Sequence, residues 1–170
     1  MSGDAYVATA SQTVGPFFHF GITPKPNGRL VDRLGGGEAI TLVIRVTDGD
    51  GAPLPDALVE MMQEGIFGRM PTDDDGTCVF ETIRPRVSSN QPGNTAPHVF
   101  VCLFARGLLR QLHTRIYFAG DPALDRDPVL ALVPHDRRQT LLARADRADG
   151  RRWTFDLRLQ GAGETVFFAE

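Results

Sequence analysis

Trp153-Thr154-Phe155-Asp156-Leu157-Arg158-Leu159-Gln160 is the stretch that decides the fold, because its apolar and polar side chains alternate strictly. Successive side chains of an extended chain point to opposite faces, so this period of two predicts a half-buried β-strand. Further short runs rich in β-branched and aromatic residues lie between turns, at residues 40–46, 57–62, 77–83, 98–104, 113–117 and 165–168. Many short strands joined by turns predict an all-β fold with an antiparallel β-sandwich core.

One segment near the C-terminus has the pattern of a short helix. Pro134 suits the first position of a helix, where the missing N–H of proline costs nothing. Residues 135–148 carry Leu141 and Leu142 among charged residues, with no helix breaker. The sequence therefore predicts one short C-terminal helix beside the strands.

The 170 residues fit a single domain, long enough to bury a core. Residues 1–38 contain no predicted strand, and an irregular run of that length is too long for a plain connector. This arm contains Phe17, Phe18 and Phe20, which would be costly to leave in water. We therefore expect residues 39–170 to form the sandwich core and residues 1–38 to form an irregular arm that docks on a partner chain.

The composition argues against several classes of partner. The net charge is −3 with both signs well mixed, so we expect no basic face for nucleic acid or a membrane surface. No apolar run is long enough to span a membrane, and the first residues lack the pattern of a signal peptide. We therefore expect a cytoplasmic protein in which Cys78 and Cys102 are buried, reduced thiols.

The side chains that bind transition metals are few and scattered. The histidines form no pair at metal-ligand spacing; they are His19, His98, His113 and His135. His98 opens a predicted strand, but its neighbour on the same face is Phe100, which cannot coordinate a metal. We interpret His98 as a hydrogen-bonded histidine at the junction of a loop and a strand. The only tyrosines are Tyr6 and Tyr117, so we expect no metal site and no catalytic residue in this chain.

Two features could contact a ligand. Thr13-Val14-Gly15-Pro16 combines a hydroxyl with a Gly-Pro turn, which can present its backbone to a ligand at close range. Arg106 ends an apolar strand, where it could bind an anionic substrate through a bidentate contact or form a surface salt bridge. The residues alone favour neither of these two roles for Arg106.

Five segments carry a resemblance to a known family. In chain order they are Ser11-Gln12-Thr13-Val14-Gly15-Pro16-Phe17, Ala96-Pro97-His98, Phe104-Ala105-Arg106-Gly107, Leu112-His113-Thr114-Arg115-Ile116-Tyr117-Phe118 and Gln160-Gly161-Ala162-Gly163-Glu164-Thr165-Val166-Phe167-Phe168. Together they resemble the intradiol ring-cleavage dioxygenases, and among these the α subunits of the two-chain enzymes that cleave protocatechuate. The resemblance covers nearly the whole chain. It implies a β-sandwich that takes part in the O2-dependent opening of protocatechuate to 3-carboxy-cis,cis-muconate.

The resemblance also implies a division of roles between two chains. In the family a non-haem Fe(III) is held by two tyrosines and two histidines of the β subunit, partly on a His-x-His strand. The matching strand here is His98-Val99-Phe100, and the loop at residues 86–89, which matches a loop carrying a ligand tyrosine in β, has none. This chain would thus pair with an iron-bearing β subunit in a hetero-oligomer and build one wall of the active-site cavity.

The site residues implied by position are Thr13, Gly15 and Pro16, which would line the cavity, and Arg106, which would hold the substrate carboxylate. The chain departs from the α pattern in two places. Phe17 stands where a tyrosine is usual, and the segment after Gln63 is shorter. Both differences predict a wider or less polar cavity.

Two alternatives remain open. The chain could be an independent β-sandwich module that binds a small molecule or a protein and has no oxygenase role. It could also be a stand-alone intradiol enzyme with an unusual iron site built from His98, His113 and acidic side chains. The missing tyrosines weigh against this second alternative.

Overall fold

A computed structural model describes residues 7–15, 17–23, 25–33, 36–63, 65–86 and 95–169. Its strands are β1 (Ala39–Thr47), β2 (Leu58–Gln63), β3 (Ile66–Pro71), β4 (Thr77–Ile83), β5 (His98–Phe104), β6 (Leu112–Phe118), β7 (Leu142–Ala145) and β8 (Arg152–Arg158). Its α-helices are α1 (Phe18–Ile22) and α2 (Pro128–Leu132), and 3-10 turns lie at Val31–Arg33, Leu124–Arg126 and Arg138–Leu141. The predicted all-β class is confirmed. None of these described helices is long and apolar enough to cross a membrane.

The strands form one curled sheet in the order β3-β2-β5-β6-β7-β8-β1-β4. The short strand β7 joins its two halves, whose inner side chains share one core. Within that core the rings of Phe118 on β6 and Trp153 on β8 meet with centroids 5.0 Å apart. This arrangement has the sandwich-like shape that the sequence predicts.

The pairing is not purely antiparallel, and that part of the prediction is wrong. β1 runs parallel to β8, and β6 runs parallel to β7. Parallel neighbours need a crossover connection, and the segment from β6 to β7 supplies one through α2 and two 3-10 turns. Alternation along a strand reports which side chains are buried and carries no information on the direction of the neighbouring strand.

The alternating pattern divides β5 and β8 between a core face and an outer face. The core side chains of β5 are Val99, Val101 and Leu103, and those of β8 are Trp153, Phe155 and Leu157. The remaining residues of β5, on its outer face, are His98, Phe100, Cys102 and Phe104. The candidate site and the exposed apolar surface described below both lie at or next to this outer face.

The arm is partly built into the sheet. Asn27 forms a bridge with Arg69 on β3, and Arg29 forms a bridge with Glu81 on β4. Since β3 and β4 are the two edges of the sheet, this segment covers both edges and blocks further strand pairing there. Leu30, directly after the second bridge, is fully buried. The arm is therefore less irregular than predicted, and residues 25–33 pack on the chain's own core.

The predicted helix over residues 135–148 is wrong. That segment contains the 3-10 turn Arg138–Leu141 and then β7, which pairs Leu142 with Tyr117 and Ala143 with Phe118. Sheet pairing and burial of Leu141 outweigh the helical pattern of the charged residues. The short helix lies earlier, at α2, where Asp127 caps the first turn and Pro128 occupies its first position.

The structure contains two strands that the sequence does not predict, β3 and β7, and it lacks most of one strand that the sequence does predict. β3 was missed because Gly68 interrupts its pattern; a side chain there would lie 2.8 Å from the Asn27 carbonyl of the crossing arm. β7 was missed because it lay inside the predicted helix. The predicted strand at residues 165–168 is reduced to one bridge between His113 and Phe168.

Candidate functional site

The arm is tied to the turn that follows β5. The Oγ1 atom of Thr13 accepts a 2.7 Å hydrogen bond from the backbone N–H of Gly107. Gly107 has a φ of 90°, a left-handed conformation that favours glycine in this turn. The bond therefore places the exposed arm beside Arg106, the neighbour of Gly107.

Gly15 lies at the start of α1. Its carbonyl accepts a 3.2 Å hydrogen bond from the N–H of Phe18. The ring of Phe18 then packs on Phe104, the last residue of β5, with centroids 5.9 Å apart. A side chain at Gly15 would meet nothing within 4 Å, so the backbone there is open to a neighbouring molecule. Pro16 lies outside the described residues.

Arg106 is half exposed and follows the buried residue Ala105. One guanidinium nitrogen lies 3.7 Å from a carboxylate oxygen of Asp56. That distance is too long for a hydrogen bond, and the pair is solvated, so it contributes little stability. Asp56 has a φ of 61°, which is uncommon for a residue other than glycine. The guanidinium is held loosely, and its donors remain available for an anion.

Thr13, Gly15 and Arg106 thus lie near the same end of β5. A cleft of about 160 Å³ lies next to them, lined by Gln12 and Val14 of the arm and by Phe104, Ala105 and residues 108–111. None of the three predicted residues is part of that lining. Sites for small molecules usually measure about 300–1,000 Å³. The cleft is therefore too small to enclose an aromatic acid by itself, and it resembles one wall of a larger cavity. That the three residues bind substrate stays a prediction.

His98 lies at the junction of a loop and a strand, as predicted from the sequence. Its Nδ1 atom lies 2.8 Å from the carbonyl oxygen of Ala96, and only 8% of the residue is exposed. The carbonyl accepts, so Nδ1 carries the proton in the neutral ring and Nε2 has no hydrogen-bond partner. Burial lowers the pKa of His98. The interpretation of His98 as a hydrogen-bonded junction residue is confirmed.

The surroundings of His98 do not fit an iron site. Its same-face neighbour Phe100 contacts it edge-on at 4.7 Å and offers no donor atom. The cross-strand neighbour Tyr117 donates a 3.3 Å hydrogen bond to Asp127, and burial raises the pKa of Tyr117 to about 12, so its phenol stays protonated. The guanidinium of Arg115 lies 4.9 Å from the ring centre of Phe100 and places a positive charge in the same region.

The alternative of an iron site shared by His98 and His113 also meets a geometric obstacle. His98 pairs with Tyr117 and His113 pairs with Cys102, so the two histidines are four positions apart along the ladder. At roughly 3.3 Å per residue they are separated by about 13 Å, with side chains that stand nearly perpendicular to the sheet. Among the described residues, no group of three or more His, Cys, Asp or Glu side chains could hold a metal.

Several important residues were not singled out from the sequence. Asp127 is buried; it caps α2 and also accepts hydrogen bonds from Ala96 and Tyr117. In the sequence, only the Asp-Pro pair at residues 127–128, a common start of a helix, could have indicated this role. No sequence pattern indicated a role for Arg115, because it is one of several polar residues in a predicted strand. Cys78 and Cys102 are not joined in a disulfide bond, and Cys102, predicted to be buried, is only half buried.

The sequence matches known proteins over almost its whole length. It is 37% identical to the protocatechuate 3,4-dioxygenase alpha chain of Burkholderia cepacia, over 94% of this chain and 96% of that one. The alpha chain of Pseudomonas putida is 36% identical over 94% of this chain and 95% of that one. The beta chain from Burkholderia cepacia is 29% identical over 76% of this chain and 67% of that one. No family model matches the sequence.

Solved structures agree on the fold. The dioxygenase domain of a dioxygenase carbohydrate-binding protein fusion from Streptomyces sp. SirexAA-E superposes with a TM-score of 0.65 and 28% identity. The superposition covers 90% of this chain and 98% of that domain.

Proposed function

This chain belongs to the family of protocatechuate 3,4-dioxygenase α chains, and we propose that it completes the active-site cavity on an iron-bearing β-type partner. Members of this family and its structural relatives are ring-cleaving dioxygenases, whose chemistry implies iron. The observation that carries the proposal is a contrast within β5. Beside its end at Phe104, Thr13 of the arm is bonded to the turn that carries Arg106, whereas its start at His98 has no second metal donor among the described residues.

The iron in this proposal belongs to the partner chain. The described residues around His98 offer one unprotonated imidazole nitrogen beside a phenylalanine, a protonated phenol and a guanidinium. Such a set does not hold Fe(III), so no step of the reaction is assigned to it. A cytoplasmic location stays a prediction from the sequence.

The task of this chain in the proposal is to bind and orient the substrate. Arg106 would form a charge-assisted contact with the carboxylate of protocatechuate, because its donors are not engaged in a close hydrogen bond with Asp56. The open backbone at Gly15 and the neighbouring Pro16 would border the catechol ring. Thr13 would hold that backbone in place through its bond to Gly107. Ring opening with O2 would then give 3-carboxy-cis,cis-muconate.

The exposed aromatics of the arm support a docking role for residues 1–38. Phe17 is 74% exposed and Phe20 is 63% exposed, and their rings stack with centroids 5.9 Å apart. A pair of phenylalanines left in water is unfavourable, and burial against a partner chain would stabilise the complex. Phe18, between these two residues in the chain, packs on Phe104, which lines the cleft, so a partner that covers the two rings would also close the cavity.

Titration of this chain into the isolated β-type chain from the same source tests the proposal. Oxygen uptake with protocatechuate should rise with each addition and saturate at one chain per β-type chain. A β-type chain whose ring cleavage is complete alone, and unchanged by this chain, would contradict the proposal. Bovine serum albumin at equal concentration serves as the control for nonspecific protection.

A further inference from the structure

The outer face of the sheet carries a row of exposed apolar side chains. Strand register places Phe67 beside Met62, Met62 beside Phe100, and Phe100 beside Arg115, across β3, β2, β5 and β6. The three apolar residues are 37%, 51% and 42% exposed in that order. Single exposed apolar residues are common, but a contiguous row of large ones marks an interaction surface. We call these four residues the outer row.

A groove of about 500 Å³ is lined by Phe67, Met62 and Phe100 of the outer row, and Arg115 lies at its border over the ring of Phe100. Glu60 lies on its other side and forms an ion pair with Arg69, its cross-strand neighbour on β3. The guanidinium of Arg69 also lies 5.2 Å from the ring centre of Phe67. The charges on this side of the groove therefore cancel, which makes the groove an apolar surface with little net charge.

Arg115 is the exception, because no described carboxylate forms an ion pair with it, and Asp127 is linked to it through the hydroxyl of Tyr117. Its guanidinium stacks over Phe100 at 4.9 Å and lies 5.8 Å from the ring centre of Phe168. It donates a 3.5 Å hydrogen bond to the hydroxyl of Tyr117. No carboxylate of the described residues forms a salt bridge with it. Burial of this guanidinium by a partner would be costly unless the partner supplied a negative charge.

We propose that a β-type partner covers the outer row, with apolar side chains in the groove and a carboxylate on Arg115. The proposal rests on the pairing proposed above and names a surface for it beyond the arm. Continuity supports this occupant. Phe104, on which the arm packs through Phe18, lies on the same face of β5 as Phe100 and also lines the groove. A partner that buries the exposed phenylalanines of the arm would therefore also contact the adjacent outer row.

A second copy of this chain is a poorer occupant for the same surface. Two copies related by a twofold axis would bring identical faces together. Among the described residues, each face has the guanidinium of Arg115 without an ion-pair partner, and the carboxylate that lines the groove, Glu60, is already paired with Arg69. Such an interface would bury like charges without compensation, whereas a chain of different sequence can supply the missing acid.

Substitutions in the complex with the β-type chain test the proposal. Phe100→Asp and Arg115→Glu should each raise the dissociation constant about tenfold or more, because they place a negative charge in an apolar contact or reverse the charge that faces the carboxylate. Arg115→Lys keeps the charge and should change it much less. Val79→Asp is the matched control, since Val79 is 38% exposed on the other half of the sheet.

The unmodified complex offers a second readout. Cys102 lines the groove, and its alkylation by iodoacetamide should slow about tenfold or more when the partner binds. Cys78 is buried at 3% exposure, and burial raises the pKa of its thiol to about 12, so it does not interfere. This readout needs no variant and therefore does not depend on whether a substituted chain folds.

The outcomes separate the two proposals. If the complex forms but Phe100→Asp binds as well as Val79→Asp, and Cys102 reacts at an unchanged rate, the outer row is not the interface and the pairing stands. If the unmodified chains do not associate, both proposals fail. If this chain alone forms a dimer that Phe100→Asp disrupts, the occupant is a second copy and the proposal for a β-type partner is overturned.

Discussion

The hydroxyl of Thr13 accepts a hydrogen bond from the backbone N–H of Gly107 across 94 positions of sequence. The bond joins the arm to the turn after β5 and brings Gly15 and Arg106 to the same end of that strand. A side chain that binds substrate is useful only if its position is fixed. Together with the packing of Phe18 on Phe104, this bond holds the arm against the end of β5 in the proposed cavity wall.

Thr13→Val should loosen that link, because valine has nearly the same shape but cannot accept the hydrogen bond. An exposed neutral bond contributes about 1 kcal/mol, so hydrogen exchange of the Gly107 amide should quicken about fivefold. Thr13→Ser keeps the hydroxyl and should exchange at the original rate. Equal exchange in the valine and serine variants would show that the hydroxyl does not hold the turn.

Arg106→Ala should weaken binding of a carboxylated catechol in the assembled enzyme. Loss of a charge-assisted contact costs roughly 1.5 kcal/mol, so KM for protocatechuate should rise about tenfold, with KM for plain catechol nearly unchanged. Arg45→Ala is the control, since Arg45 is exposed on β1 in the other half of the sheet. An equal rise for both substrates would mean that Arg106 acts only through the structure.

Asp127→Ala should lower the free energy of unfolding by about 3 kcal/mol. The buried carboxylate of Asp127 caps α2 and accepts a 2.7 Å hydrogen bond from the N–H of Ala96 just before β5. It also accepts the bond from Tyr117, so its removal leaves several buried donors without partners. Urea unfolding measures the change. Asp125→Ala, at an exposed neighbouring position, should alter stability by less than about 0.5 kcal/mol.

His98 should make the protein less stable in mild acid. Burial lowers the pKa of His98 in the folded protein below the ordinary value of 6.5, so the unfolded chain binds a proton more readily. This contribution to stability is complete above pH 6.5 and is lost as the pH falls toward the folded-state pKa. Arg115 nearby also disfavours the charged ring, whereas Asp127 and the bond to Ala96 favour it.

Urea unfolding at pH 7.5 and pH 5.5 checks this pH dependence. His98→Asn retains an N–H that can donate to the Ala96 carbonyl and removes the titration, so its stability should change less between the two pH values. His135→Gln alters an exposed histidine and should behave as the unmodified chain does. An identical pH dependence in His98→Asn and the unmodified chain would exclude His98 as the source.

Much of the sheet could be predicted from the sequence because alternation is a local signal. The bounds of β4 and β5 agree with their predicted runs, and the inward face of β8 is the one its pattern indicates. β3 and β7 could not be predicted, because each forms through contacts with residues that are distant in the sequence. Gly68 leaves room for the arm, and Leu142 pairs with Tyr117. No local pattern reports such contacts.

The candidate site, like the sheet, could be predicted from the sequence only in part. Chemical type was enough to single out Thr13, Gly15 and Arg106 and to identify the missing donor at Phe100. Their convergence could not be read from spacing, because the arm reaches β5 only through the folded chain. The placement of Arg115 over Phe100 was equally invisible, since it arises from the register between β5 and β6.

Iron content and ring cleavage of this chain, purified without its partner, test the central claim most directly. The chain should bind no stoichiometric iron after incubation with a ferrous salt in air, show no visible tyrosinate-to-iron absorption, and leave protocatechuate uncleaved. The same preparation combined with the β-type chain should cleave the ring. One bound iron per chain with cleavage of protocatechuate by the isolated chain would contradict the account.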